Sequence, residues 1–287
     1  MFTGECRLES QRTDRIERIK HRARLVQGGR HWFHPASNSL GKRPAFREAG
    51  GIEVVKTMSK FQILGKNPFR WFFESVRRFG VTQTLTIIWS VVVDARFDRK
   101  YGTDTARRIP RAEIKTDSEN IVHCVNYGAS KEIPFRKLMQ KLQLPRDNVF
   151  VDLGSGKGRA LMLASKYGFR KVIGIEFSGA LCEAARENLR RFLQKSPSRS
   201  EIEVIESDVT KYQFRDDETV FFLLDPFNAP VFVEVLKNIR ASVQRNPRKI
   251  WLIYSVPREH AFVERAGLFD SSHLHVVVGA EFRVYSN

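Results

Sequence analysis

The stretch Val151-Asp152-Leu153-Gly154-Ser155-Gly156-Lys157-Gly158-Arg159 constrains the fold of this chain more than any other. It joins a buried-strand run at 148–153 to a helical pattern at 160–167, with glycines at alternate positions between them. Glycine at such a turn admits positive φ and lets a ligand approach the main chain, while the following helix offers its first amides. Spacing excludes one ligand class and disfavours another. A nucleoside-triphosphate loop requires Gly-Lys followed by Ser or Thr, whereas Lys157 is followed by Gly158. A dinucleotide fingerprint needs a glycine where Arg159 stands, and it normally lacks an acid at the place of Asp152.

The same grammar continues downstream. Short β-branched or aromatic runs at 171–175, 202–205, 220–224 and 250–254 are separated by helical patterns such as 181–192, and a further helical stretch at 133–144 precedes the glycine strand. Such alternation predicts a mostly parallel sheet of the α/β class. At the end, 274–278 and 281–285 flank Gly279-Ala280, the pattern of a tight antiparallel hairpin at the sheet edge. Upstream, Phe69, Phe72, Phe73, Val76 and Phe79 recur at helical spacing within 61–97, predicting amphipathic helices that pack on a neighbour or meet a surface, with packing the default. Residues 102–121 are polar, contain Pro110 and read as a connecting loop. The expected organisation is therefore a basic, poorly ordered extension over 1–60, a helical region over 61–120 and the α/β domain over 121–287. Met58-Ser59-Lys60 directly precedes the first sustained apolar pattern, so a biological start at Met58 is a tenable expectation.

Charge and cysteine usage narrow the classes further. The net charge of +17 is concentrated at the front, where residues 1–120 carry 24 basic and 13 acidic side chains. A basic face suits nucleic acid or another acidic partner, and it is also an ordinary solvated surface. Cys6, Cys124 and Cys182 lie far apart, which offers neither a disulfide framework nor a zinc knuckle. His273 and His275 share a strand face with no third ligand evident. No apolar run approaches the roughly 20 residues of a membrane span, and no secretory signal is evident, so the expected location is cytoplasmic, without stable membrane insertion.

Residues 148–228 resemble the class I S-adenosylmethionine-dependent methyltransferases, whose first motif is an acid followed by alternate glycines, here Asp152 with Gly154, Ser155, Gly156 and Gly158. The likeness continues in Glu176, which ends the second strand ahead of Phe177, and in Asp208-Val209 after the third. It ends in Asp225-Pro226-Phe227-Asn228 after the fourth. The resemblance implies a Rossmann-like, seven-stranded fold with S-adenosyl-L-methionine across the carboxyl ends of the first strands. Glu176 would accept from the ribose hydroxyls and Asp208 from the adenine amino group. Asp225, Pro226, Phe227 and Asn228 resemble, without matching, the turn with which amino methyltransferases of this fold hold a nitrogen nucleophile. Asn126-Tyr127-Gly128-Ala129-Ser130 is similar to a segment that closes over the methionine end of the cofactor in some relatives, among them seven-strand histone-lysine methyltransferases. The segment 97–105 resembles one ahead of the catalytic domain in uncharacterised bacterial methyltransferases; its role is read as packing, with a lid as the alternative. Lys157 and Arg159 are expected at the surface of the loop, outside the chemistry.

The implied activity is in-line methyl transfer, with a protein lysine or other amine as the leading acceptor. RNA and small molecules remain open as acceptors. A nucleic-acid methyltransferase or binding module that uses the basic front, and a non-catalytic cofactor-binding scaffold, are the alternatives.

Overall fold

A computed structural model describes residues 68–287. The expectations for 1–60, including a start at Met58, lie outside the described residues. The first helices among the described residues are α1 (Pro68–Phe79) and α2 (Val81–Tyr101), separated by Gly80, whose φ of 81° breaks the helix. Two short 3-10 turns, Arg111–Glu113 and Glu119–His123, interrupt the stretch expected to be a plain loop. Then follow α3 (Glu132–Leu142), β1 (Val149–Leu153), α4 (Arg159–Tyr167), β2 (Lys171–Glu176), α5 (Gly179–Lys195), β3 (Glu201–Glu206) and β4 (Glu218–Leu224). The chain ends in α6 (Ala229–Arg245), β5 (Trp251–Ser255), α7 (His260–Ala266), β6 (Ser271–Val277) and β7 (Ala280–Ser286).

Among the described residues, seven strands form one sheet in the order β3-β2-β1-β4-β5-β7-β6. β1 to β5 pair in parallel, whereas β7 runs antiparallel to both β5 and β6. The expected terminal hairpin is present, with β7 inserted beside β5 and β6 left at the edge.

Every residue of β1 is buried, as a strand covered on both faces requires. Successive side chains point to opposite faces, so β1 and β4 each feed two cores. Phe150 and Phe222 stack at 5.7 Å on the face covered by Phe97, Tyr101, Phe135 and Phe192. Val151, Phe221 and Leu223 enter the other, against Phe232, Val235 and Ile239 of α6. Strand order reverses between β1 and β4, where consecutive crossovers leave in opposite directions and open a crevice at the carboxyl ends.

Candidate functional site

A crevice opens at that reversal. Its walls are the tips of β1 (Asp152, Gly154, Ser155, Gly156), β2 (Glu176, Phe177), β3 (Asp208, Val209) and β4 (Pro226, Phe227), together with Tyr127 from the segment before α3. The structure thus brings together most of the residues singled out in the sequence. Gly158, Asp225 and Asn228 are not in the lining.

The glycine turn is shaped by what presses on it. Gly156 has φ 53°, and a Cβ there would lie 2.3 Å from the Tyr127 ring. Tyr127 is held over it by donating its hydroxyl to the Thr105 carbonyl at 2.9 Å. Gly158 caps α4 at φ 82°, with Ala185 of α5 against it, so it serves helix packing. The Ser155 hydroxyl, in the crevice wall, is buried without a hydrogen-bond partner.

Two buried carboxylates dominate the electrostatics. Glu176 accepts from the Gly156 amide at 2.9 Å and the Ser178 amide at 3.0 Å; burial nevertheless raises its pKa. Burial, and then the charge of Glu176, push Asp152 up to about 8. Two acids facing a common crevice, beside an orphaned hydroxyl, suit a ligand that carries positive charge and hydroxyl groups.

Asp208 differs. One oxygen accepts from the Thr210 amide and hydroxyl at 2.9 and 2.7 Å, the other from the Asn120 amide at 2.8 Å and from the Ser118 hydroxyl. Burial would raise its pKa, but these donors hold it below the usual carboxylate range. A carboxylate has about four acceptor positions, and here the chain fills them all. Asp208 thereby ties down residues 114–127, a strap across the strand tips; the sequence reading took its part up to 121 as a connecting loop and placed only 126–130 over the cofactor. The strap is also fixed by Ser178 donating to the Lys115 carbonyl at 2.8 Å, and by Val125 N–H donating to the Pro226 carbonyl at 3.1 Å.

The Asp225-Pro226-Phe227-Asn228 turn presents Pro226 and Phe227 to the crevice and directs Asp225 elsewhere. Asp225 sits at φ 43°, a left-handed conformation that costs a non-glycine residue about 1 kcal/mol or more. Its carboxylate accepts from Tyr254 Oη at 2.7 Å and pairs with Arg258. Burial raises it to about 6 against the opposing pull of those two donors. Asn228 precedes α6, where its N–H donates to the His123 carbonyl at 2.9 Å.

The surface expectation for Lys157 and Arg159 is overturned, since both are almost fully buried. Arg159 pairs with Asp98 at 3.0 Å, donates to the Thr105 hydroxyl and stacks over Phe97 at 4.1 Å. Lys157 pairs with Asp104 at 3.0 Å, and Asn188 links Asp104 to the Lys157 carbonyl. The segment 97–105 thus clasps the back of the glycine loop. Its alternation of acids and hydroxyls, Asp98, Thr103, Asp104 and Thr105, was the signal available in the sequence.

Residues 114–226, from the strap to the Asp-Pro turn, match the family described as "Histone methylation protein DOT1". None of the curated proteins matches the chain. Among solved structures, the pyocyanin biosynthetic protein PhzM is 14% identical with a TM-score of 0.44, covering 54% of each chain. An RNA methyltransferase from Salinibacter ruber in complex with S-adenosyl-L-homocysteine is 17% identical at TM-score 0.39, covering 53% of this chain and 88% of that one. A precorrin-6y C5,15-methyltransferase from Geobacter metallireducens GS-15 is 14% identical at TM-score 0.44, covering 62% and 98%. The chain spans about half the length of PhzM. The expected seven-stranded, mostly parallel sheet is present, and the family match runs from the strap through the glycine turn to the fourth strand tip, so residues 114–226 carry the class I S-adenosylmethionine-dependent methyltransferase fold.

Proposed function

We propose that this chain transfers a methyl group from S-adenosylmethionine to a nitrogen acceptor, with a protein lysine as the leading case. The observation that carries the reading is the match of residues 114–226 to a histone-methylation family, a span that includes both the strap and the strand tips of the crevice. The cofactor, when bound, supplies an electrophilic methyl on a sulfonium.

The chain's own groups fit that ligand. Asp152 and Glu176 offer negative charge where a cation must be held, and each Glu176 oxygen keeps an acceptor position for a hydroxyl beyond its amide donor. Ser155 gains a partner for its orphaned hydroxyl. Tyr127, the Gly154–Gly156–Gly158 turn, Phe177 and Val209 give shape to the cofactor side. Asp208 acts as a positioning residue, because its oxygens are spent on the strap. Pro226 and Phe227 form the acceptor-side wall. Asp225 and Asn228 support that turn from outside the lining, and the Asp225 carboxylate, held by Tyr254 and Arg258, is not aimed as a base. Methyl transfer needs no proton donated to the leaving group, so alignment is the main contribution of the protein.

The excess of basic residues over 1–120 favours RNA as a second acceptor class. Incubation of the full chain with methyl-labelled cofactor and fractionated cell extract separates the readings. Label recovered as methyl-lysine supports the proposal; label in RNA supports the second reading. Cofactor binding with no label in any fraction refutes both and leaves a scaffold.

A further inference from the structure

The helices α1 and α2 expose an apolar face that the crevice does not use. On α2, Val81, Leu85, Trp89 and Val92 recur at i, i+4, i+8 and i+11, and Leu85 and Trp89 are 54% and 51% exposed. Among the described residues of this helix, the buried ones, Thr84, Phe97 and Tyr101, lie off that line. The exposed line then changes chemistry: Arg96, Arg99 and Lys100 continue it through the last turns. On α1 the exposed residues Phe73 and Arg77 repeat the order, an apolar side chain followed one turn later by a cation.

We propose that this face seats the protein reversibly on an anionic lipid bilayer, with Phe73, Val81, Leu85, Trp89 and Val92 entering the headgroup–acyl boundary and the arginines at the headgroups. An exposed line of aromatic and aliphatic side chains, followed by cations that can snorkel to phosphates, suits an interfacial contact. No described helix is long and apolar enough to cross a membrane, so the element lies on the surface rather than spanning it. Charge selects the occupant. A second copy would bring the same arginines, on a chain of net charge +17, against each other, whereas a leaflet rich in phosphatidylglycerol is complementary. Exposed apolar stripes of this extent on a soluble domain mark contact surfaces.

Flotation of the full chain with vesicles of phosphatidylcholine, with and without phosphatidylglycerol, tests the proposal. Wild type should float with the anionic vesicles and less so at high salt. The double variant Leu85→Gln/Trp89→Gln, which keeps the net charge, should partition at least about tenfold more weakly, while Trp89→Phe floats as wild type. Arg96→Gln/Arg99→Gln should weaken the preference for anionic over neutral vesicles by about tenfold or more, and an unchanged preference overturns the role given to these arginines. An unchanged circular dichroism spectrum and melting temperature confirm that each variant is folded. The proposal is overturned if the Leu85/Trp89 variant floats like wild type, since the basic surface alone then binds. It is equally overturned if wild type stays with the soluble fraction, or if the stripe variants abolish self-association instead.

Discussion

The raised carboxyl of Asp152 makes cofactor binding a proton-releasing event. At a value of about 8, set by burial and by Glu176, the carboxyl is about nine-tenths protonated at pH 7 in the ligand-free protein. A cation placed beside it favours the carboxylate and expels that proton. The expected release is therefore about 0.9 proton per cofactor at pH 7, about 0.5 at pH 8 and about 0.1 at pH 9. Equivalently, the binding constant rises nearly tenfold per pH unit between about 6 and 7, worth about 1.4 kcal/mol, and flattens above 8. Calorimetry in buffers of different ionisation enthalpy reads the proton count directly. Because the ligand's own α-amino group titrates near 8, Asp152→Asn supplies the baseline. That variant should bind at least about tenfold more weakly at pH 8 and lose the part of the buffer dependence that the Asp152 carboxyl contributes, keeping only the part owed to the ligand's amino group. The same shift has a sign for folding. A carboxyl raised in the folded state stabilises while protonated, so the ligand-free fold should lose stability as pH climbs from the unfolded carboxylate range near 4 towards 8. Equal enthalpies in all buffers at pH 7, with a flat affinity from pH 6 to 8, would refute the reasoning.

Gly156→Ala should abolish cofactor binding and destabilise the fold by about 1–3 kcal/mol, since the new Cβ meets the Tyr127 ring at 2.3 Å in a left-handed backbone; a urea transition matching wild type refutes it. Arg159→Met should cost about 3 kcal/mol in the same measurement, at the low end for a broken buried pair because Asp98 keeps donors from Thr103, Thr105 and Ala106. A loss below about 1 kcal/mol would show that the clasp adds little. Asp225→Ala should slow turnover at least about tenfold while cofactor affinity stays within about twofold, and undiminished turnover removes its supporting role. Burial, reinforced by Glu176 and Asp208, pushes the Cys124 thiol up to about 12, so iodoacetamide at pH 8 should leave it unlabelled until the protein is unfolded; rapid labelling of the native chain contradicts the burial argument.

What could be read in the residues is what neighbours in the chain dictate. The strand runs, the glycine turn with its positive φ and the acids closing β1 and β2 depend on local periodicity and backbone freedom, and the structure places them as expected. Even the terminal hairpin follows from two apolar runs around Gly279-Ala280. The destinations of charged side chains were not legible in this way. Arg159 looked like a surface residue because its partner, Asp98, lies 61 residues earlier. Asp208 was read as a ligand contact, yet Ser118 and Asn120, about 90 residues away in sequence, take its oxygens. Asp225 stands in the expected turn, but a left-handed backbone and Tyr254 direct its carboxylate away from the crevice. The sequence by itself determined the strands, the turn and the acids at the strand tips, because these need only local geometry. Tertiary structure alone decided which charges face the crevice and which brace its walls, because a buried ion must find its counter-charge wherever the fold brings one.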